Sequence, residues 1–231
     1  MVIGNGLVAK AFASYIHNDD VVIFASGVSN SSANSAEAFS RELALLSSNI
    51  SQYPQQLFVY FSTCSIYDPA LADSSYVQHK KQMEQYILEH HPRPLIFRIS
   101  NLAGKTNNAH TILNYLHDCI QNETPFLLWK GSERNIIDVE DAFNLCDRII
   151  QEVSDTNQYI FDIANIGNYS VEQIVQALES TVHKKGNYTI VEKESRPLIP
   201  MTGMKRYPNE LNRIFTADYL NKVVQKYYAQ P

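Results

Sequence analysis

The segment Tyr76-Val77-Gln78-His79-Lys80 places a phenol and an amine four residues apart, thirteen residues after Thr63. On a helix opening at Tyr76, Lys80 lies one turn along on the same face. A lysine cation beside a phenol favours phenolate and draws its pKa down from an ordinary value of about 10. Tyr76 so placed can serve as a general acid or base. Thr63, at the end of an apolar run, can hydrogen-bond the same substrate oxygen. Hydroxyl, tyrosine and lysine in this order suit the transfer of a proton while a hydride moves to or from a carbonyl carbon.

Such a set needs a cofactor cleft and a rigid frame. Gly4-Asn5-Gly6-Leu7-Val8-Ala9 follows a short apolar start and precedes a helical pattern. Glycines in that setting allow a tight turn and let the backbone approach a pyrophosphate, with Ala9 in place of a third glycine. An acidic residue about 20 positions on, which would hold an adenosine ribose, has no counterpart. The next apolar run leads straight into Ala25-Ser26-Gly27, and Asp19 and Asp20 precede it.

The runs 21–25, 57–61, 94–99 and 159–163 read as buried strands. Helical patterns lie near 6–16, 35–48, 75–90, 108–121 and 139–153. The alternation predicts an α/β fold, a Rossmann-like parallel sheet with helices on both faces. Ser170 and Gln173 fit a capping box opening a helix to about Val182. Thr216 is expected to cap a last helix through Tyr227. The segments 26–35 and 196–208 read as loops. No linker appears, so residues 1–164 are expected to form a dinucleotide-binding core, with 165–231 a small C-terminal lobe interleaved with it.

The chain of 231 residues carries a net charge of −5 and no basic footprint, which argues against a nucleic-acid partner. No apolar run is long enough to span a bilayer, and the N-terminus lacks signal-peptide features. Three scattered cysteines suit reduced thiols in the cytoplasm. His110 and His117 lie seven apart without further ligands, so no metal is expected.

Taken together, the motifs resemble the extended short-chain dehydrogenase/reductase family of nucleotide-sugar epimerases, reductases and dehydratases. The glycine turn comes first. Asp20 to Ser26 resembles DxVIHxAA, Ser62 to Tyr67 resembles SSxxVYG, and Tyr76 to Lys80 matches YxxxK. Arg98 to Gly104 resembles RxxNVYG, Arg134 to Asp141 resembles RDYIHVDD, and Ile163 to Val171 resembles YNIGxGxxxSV. The succession covers nearly the whole chain.

The resemblance implies an NAD or NADP cofactor and a nucleotide-sugar substrate. It makes Tyr76 the acid/base, with Thr63 beside it and Lys80 lowering its pKa and holding the nicotinamide ribose. Gly4, Asn5, Gly6, Leu7 and Val8 would follow the cofactor pyrophosphate, and Ala25 and Ser26 would line its cleft. Asn101 and Arg134 match positions that hold substrate phosphates in several relatives; the planar donor fork of arginine suits that role. The family's pairing mode implies a homodimer through the helix bearing YxxxK, where Met83, Tyr86, Ile87 and Leu88 offer a packing face. If residues 21–25 are the family's fourth strand, its second and third strands are missing, which leaves the first strand at a sheet edge. The loop between Thr63 and Tyr76 is also trimmed.

Several tempting residues read as structural. Arg98 braces a buried strand, Cys64 is a small buried side chain, and Asp138 and Asp141 cap a helix. His79, His90 and His91 read as exposed. Cys64 and Ser65 stand where dehydrating relatives carry Asp-Glu, which disfavours dehydration. The expected function is reduction or epimerisation of a keto-sugar. The alternative is a non-catalytic nucleotide-binding protein retaining the fold.

Overall fold

The computed structural model describes residues 1–29, 35–106, 108–153 and 159–229. Positions 30–34 of the loop expected at 26–35 lie outside the described residues. The first half runs β1 (Val2–Ile3), α1 (Leu7–Ala11), β2 (Val21–Phe24), α2 (Ala36–Gln52), β3 (Leu57–Thr63), α3 (Ser75–His90), β4 (Pro94–Ile99), β5 (Asn101–Ala103) and α4 (Ile112–Gln121). The second runs β6 (Phe126–Arg134), β7 (Ile136–Asp138), α5 (Val139–Glu152), β8 (Ile160–Ile163), β9 (Tyr169–Ser170), α6 (Val171–Val182), β10 (Tyr188–Ser195), α7 (Pro208–Ile214) and α8 (Tyr219–Tyr228).

Five strands form a parallel sheet in the order β1-β2-β3-β4-β8. Among the described residues β1 stands at one edge and pairs with β2 alone, as the shortened pattern of strands implied. Apolar residues on both strand faces follow from helices on both sides. Val22, Phe24, Phe58, Tyr60 and Ile96 point toward Leu46 and Ile50 of α2 and Met83 and Ile87 of α3. Their alternate neighbours Ile23, Val59, Leu95 and Phe97 join a second cluster with Phe12, Leu145 and Ile149. That cluster continues through Leu116 to Ile174 and Leu178 of α6 and Val224 of α8. Elements before and after residue 164 therefore share one core.

A three-stranded sheet, β10-β6-β9, and a two-stranded pair, β5-β7, complete the fold. The β6–β10 pairing is absent from the sequence-based expectation. Most of β10 is exposed on both faces, so it carries no alternating signal. The outer edge of β8 is covered by the loop before α7, where the Asp162 amide donates to Thr202 O at 3.0 Å. The helix expected at 6–16 breaks at Phe12 into a 3-10 turn over Ala13–Tyr15. Ser170 makes its capping box with Gln173. Thr216 does not cap α8: its hydroxyl donates to Asp218 Oδ1 at 2.6 Å, and Asp218 holds the cap position.

Candidate active site

The carboxyl ends of the parallel neighbours β1, β2 and β3 lie side by side at one end of the sheet. Gly4 has φ +128, a conformation that favours glycine, and a Cβ there would collide with the carbonyl of Ala25. That close approach brings the glycine turn against Ala25 and Ser26. Leu7 also abuts the loop after β5, since a Cβ on Gly104 would lie 2.9 Å from its side chain. Gly6, the N-cap of α1, is different. Its φ is −76, and a Cβ added there would meet nothing within 4 Å. The protein itself does not need glycine at position 6. A missing side chain beside open space fits a backbone kept clear for a ligand, so the pyrophosphate end of a dinucleotide fits this turn.

Thr63 ends β3 and caps the following 3-10 turn, its Oγ1 accepting from the Ser65 amide at 3.0 Å. Tyr76 sits in the first turn of α3, which Ser74 caps. Tyr76 is buried, and the Thr63 hydroxyl, which donates to Ser65 Oγ at 3.0 Å, is near enough to act on its phenol. Burial raises its pKa, the nearby Thr63 hydroxyl lowers it and the Glu42 charge raises it; the phenol is pushed up to about 12. Tyr76 therefore holds its proton at neutral pH.

The expected electrostatics of Lys80 need correcting. Lys80 shares the buried face of α3 with Tyr76, as the spacing requires, but its ammonium is already engaged. It donates to Glu42 Oε1 at 3.1 Å, to Tyr60 Oη at 3.0 Å and to Phe61 O at 3.4 Å. An ammonium has three N–H groups, and all three have protein acceptors. The phenol is not drawn down: burial is the largest influence on it, and the Lys80 charge is paired with a carboxylate. Glu42, on α2, was missed. Nothing local marks it, since it lies 38 residues before Lys80.

The positions expected to meet substrate also come together. Asn101 Nδ2 donates to Asn135 O at 2.8 Å, and Asn135 follows Arg134 directly. Arg134 Nη1 donates to Ser195 Oγ at 3.0 Å and to Glu133 O at 2.6 Å. Ser195 Oγ donates to Asp68 Oδ2 at 2.6 Å. Asp68 lies in the trimmed loop between Thr63 and Tyr76, so this chain of bonds ties Arg134 to the segment between those two residues. Among the described residues, Arg134 Nε and Nη2 make no hydrogen bond. Burial lowers the guanidinium pKa, and Asp68 opposes that shift.

Arg98 braces the sheet as expected, gripping Glu84 through Nε at 3.0 Å and Nη2 at 2.6 Å. Its Nη1 donates to Tyr67, whose hydroxyl donates to Asp162. Cys64 is buried against the Arg98 carbonyl, and Asp138 caps α5. His79 and His91 are buried, contrary to expectation. His79 Nε2 faces Glu42 Oε2 at 2.9 Å while its ring stacks on Phe39, so a polar residue on the inner helix face finds a buried partner. Met83 and Ile87 pack inside the protein, which leaves Leu88 as the exposed member of the expected dimer face. No helix among the described residues is long and apolar enough to cross a membrane.

Residues 3–167 match the model of the NAD dependent epimerase/dehydratase family. None of the curated proteins matches the sequence. Solved structures share the fold at low identity. The dTDP-glucose 4,6-dehydratase of Bacillus anthracis, in complex with NAD, is 16% identical with a TM-score of 0.66, over 95% of this chain and 76% of that one. A UDP-glucose-4-epimerase from Stenotrophomonas maltophila, with bound NAD and formylated UDP-arabinopyranose, is 15% identical with a TM-score of 0.69, over 95% and 79%. The UDP-glucose 4-epimerase of Thermus thermophilus, in complex with NAD, is 12% identical with a TM-score of 0.67, over 94% and 80%.

Proposed function

This chain belongs to the NAD dependent epimerase/dehydratase family, and we propose that it is an NAD(P)-dependent oxidoreductase that reduces a nucleotide-activated keto-sugar. The observation that carries this reading is the buried Thr63–Tyr76 pair, its phenol protonated, at the carboxyl end of a sheet whose glycine turn is open at Gly6. The turn from Gly4 to Val8, with Ala25 and Ser26, would hold the cofactor, and bound nicotinamide supplies the hydride. Tyr76 gives its proton to the carbonyl oxygen as the carbon is reduced, and Thr63 steadies that oxygen. The Tyr76 phenolate then regains a proton from solvent. Arg134 Nε and Nη2, with Asn101, would bind the substrate phosphates.

Reduction is preferred to epimerisation because the cofactor site is pared down. β1 is an edge strand, no acid follows β2, and Lys80 has no free N–H for a ribose. A weakly held cofactor suits exchange at each turnover. The test mixes the protein with NADH or NADPH and a nucleotide-4-keto-sugar. Loss of reduced-nicotinamide absorbance that Tyr76→Phe abolishes supports the reading; equal turnover by that variant removes Tyr76 from the chemistry.

The engaged state of Lys80 also favours a second reading, a nucleotide-binding protein without catalysis. Calorimetric titration separates the two: no binding of either nicotinamide form at about millimolar concentration, where even weak sites fill, favours the second.

A further inference from the structure

The strands of the main sheet stand in chain order, β1-β2-β3-β4-β8, with β1 at one edge. Their connections do not all leave to the same face. α1 packs through Val8 and Ala11 on one face, whereas α2 and α3 pack through Leu46 and Met83 on the other. The steps from β1 to β2, β2 to β3 and β3 to β4 run in one direction across the sheet. The β1–α1–β2 crossover is therefore opposite in hand to the two that follow it, although nearly all such crossovers share one hand. A doubly wound sheet avoids this conflict by building strands on both sides of its first strand, so that the order reverses there. Here residues 4–20 hold only the glycine turn, α1 and a 3-10 turn before β2 begins. That leaves no length for another strand–helix–strand unit, which takes about 30 residues.

We propose that this protein holds only the nicotinamide mononucleotide half of its cofactor, so that reduced nicotinamide mononucleotide binds and donates hydride about as well as NADH or NADPH. The inference rests on the reading of Thr63 and Tyr76 as the proton-transfer pair of a nicotinamide-dependent site. A dinucleotide lies across the point where neighbouring connections change face, with one mononucleotide-binding half on each side. In this sheet that point is between β1 and β2, where the glycine turn meets Ala25 at Gly4. On one side stand β2, β3 and β4, with Thr63 at the end of β3. On the other side, beyond β1, no strand stands among the described residues.

The adenosine half would extend over that bare edge. No Asp or Glu occurs from Ala25 to Ala36 to accept its ribose hydroxyls. Binding free energy comes from surface taken out of water and hydrogen bonds made, and an adenosine left in solvent gains neither. The 2′-phosphate that separates NADPH from NADH sits on that same ribose, so the two are not told apart. The reaction balances without adenosine: hydride passes to the keto carbon, Tyr76 supplies the proton, and the oxidised nicotinamide leaves.

The experiment is calorimetric titration of the whole chain with NADH, NADPH, reduced nicotinamide mononucleotide and ADP-ribose. The three nicotinamide forms are expected to bind within about tenfold of one another, and ADP-ribose at least about tenfold more weakly than the mononucleotide. NADH binding more than about tenfold tighter than the mononucleotide, or ADP-ribose binding as tightly as NADH, overturns the proposal. Gly6→Ala is expected to weaken NADH and the mononucleotide by the same factor. Mononucleotide binding that ignores this change lies elsewhere and also overturns it. Turnover of keto-sugar is scored separately. NADH-driven turnover with a strong preference for the dinucleotide defeats this inference alone. Equal binding of the three forms without turnover defeats only the proposed reaction, and binding of none at about millimolar concentration defeats both.

Discussion

Gly4 lies so close to Ala25 that no side chain fits between the glycine turn and the carbonyl at the end of β2. Two glycines separated by one residue therefore have different jobs. Gly4 is required by the protein, through its φ of +128 and the Ala25 carbonyl. Gly6 has an ordinary φ and open space, so nothing in the fold requires glycine there. Gly4→Ala is expected to cost about 1–3 kcal/mol of stability, read from urea unfolding. Gly6→Ala is expected to fold with little loss but to weaken dinucleotide binding, read by calorimetry. Equal stability losses in the two variants would contradict the assignment.

Arg98 and Glu84 test the brace behind the site. The guanidinium meets the carboxylate with two nitrogens, and Glu84 is buried. Arg98→Met leaves that carboxylate without its cation. The expected cost is about 3–5 kcal/mol in urea unfolding. Adding Glu84→Gln should recover part of the loss, because the second change removes the stranded charge.

Glu42 sets an acid limit on the fold. Its pKa falls from an ordinary 4.5 to about 2. A carboxylate depressed in the folded state stabilises fully above its unfolded value, and the contribution fades as pH falls through the folded one. Linkage makes the contribution about 3 kcal/mol at neutral pH. The stability gap between wild type and Glu42→Gln should narrow as pH falls from about 5 toward 2. A gap that stays constant over that range would mean that Glu42 is not ionised in the fold.

Arg134 and Tyr76 should separate in kinetics. If Arg134 holds a substrate phosphate as proposed, its loss removes charge-assisted bonds, so Arg134→Ala is expected to raise KM for a nucleotide-sugar about 10- to 100-fold with kcat less affected. Tyr76→Phe removes the proton donor, and kcat should fall about 10²- to 10⁴-fold. A fall in kcat without a change in KM for Arg134→Ala would move that residue from substrate binding to the chemistry.

The amino-acid order alone determined the parts that repeat over short distances. Strand runs at 21–25, 57–61 and 94–99, the Tyr76–Lys80 spacing and the Ser170 capping box all depend on neighbours within a few residues. Only the tertiary structure decided what the buried polar groups meet. Lys80 finds Glu42 from 38 residues away, Asp68 finds Ser195 across 127, and β6 pairs with the exposed β10. Such partners have no period along the chain. They are chosen by which helix covers which sheet face and by the need for every buried charge to find an opposite. The spacing could therefore put Lys80 on the same helix face as Tyr76, but only the packing of α2 could hand its ammonium to Glu42.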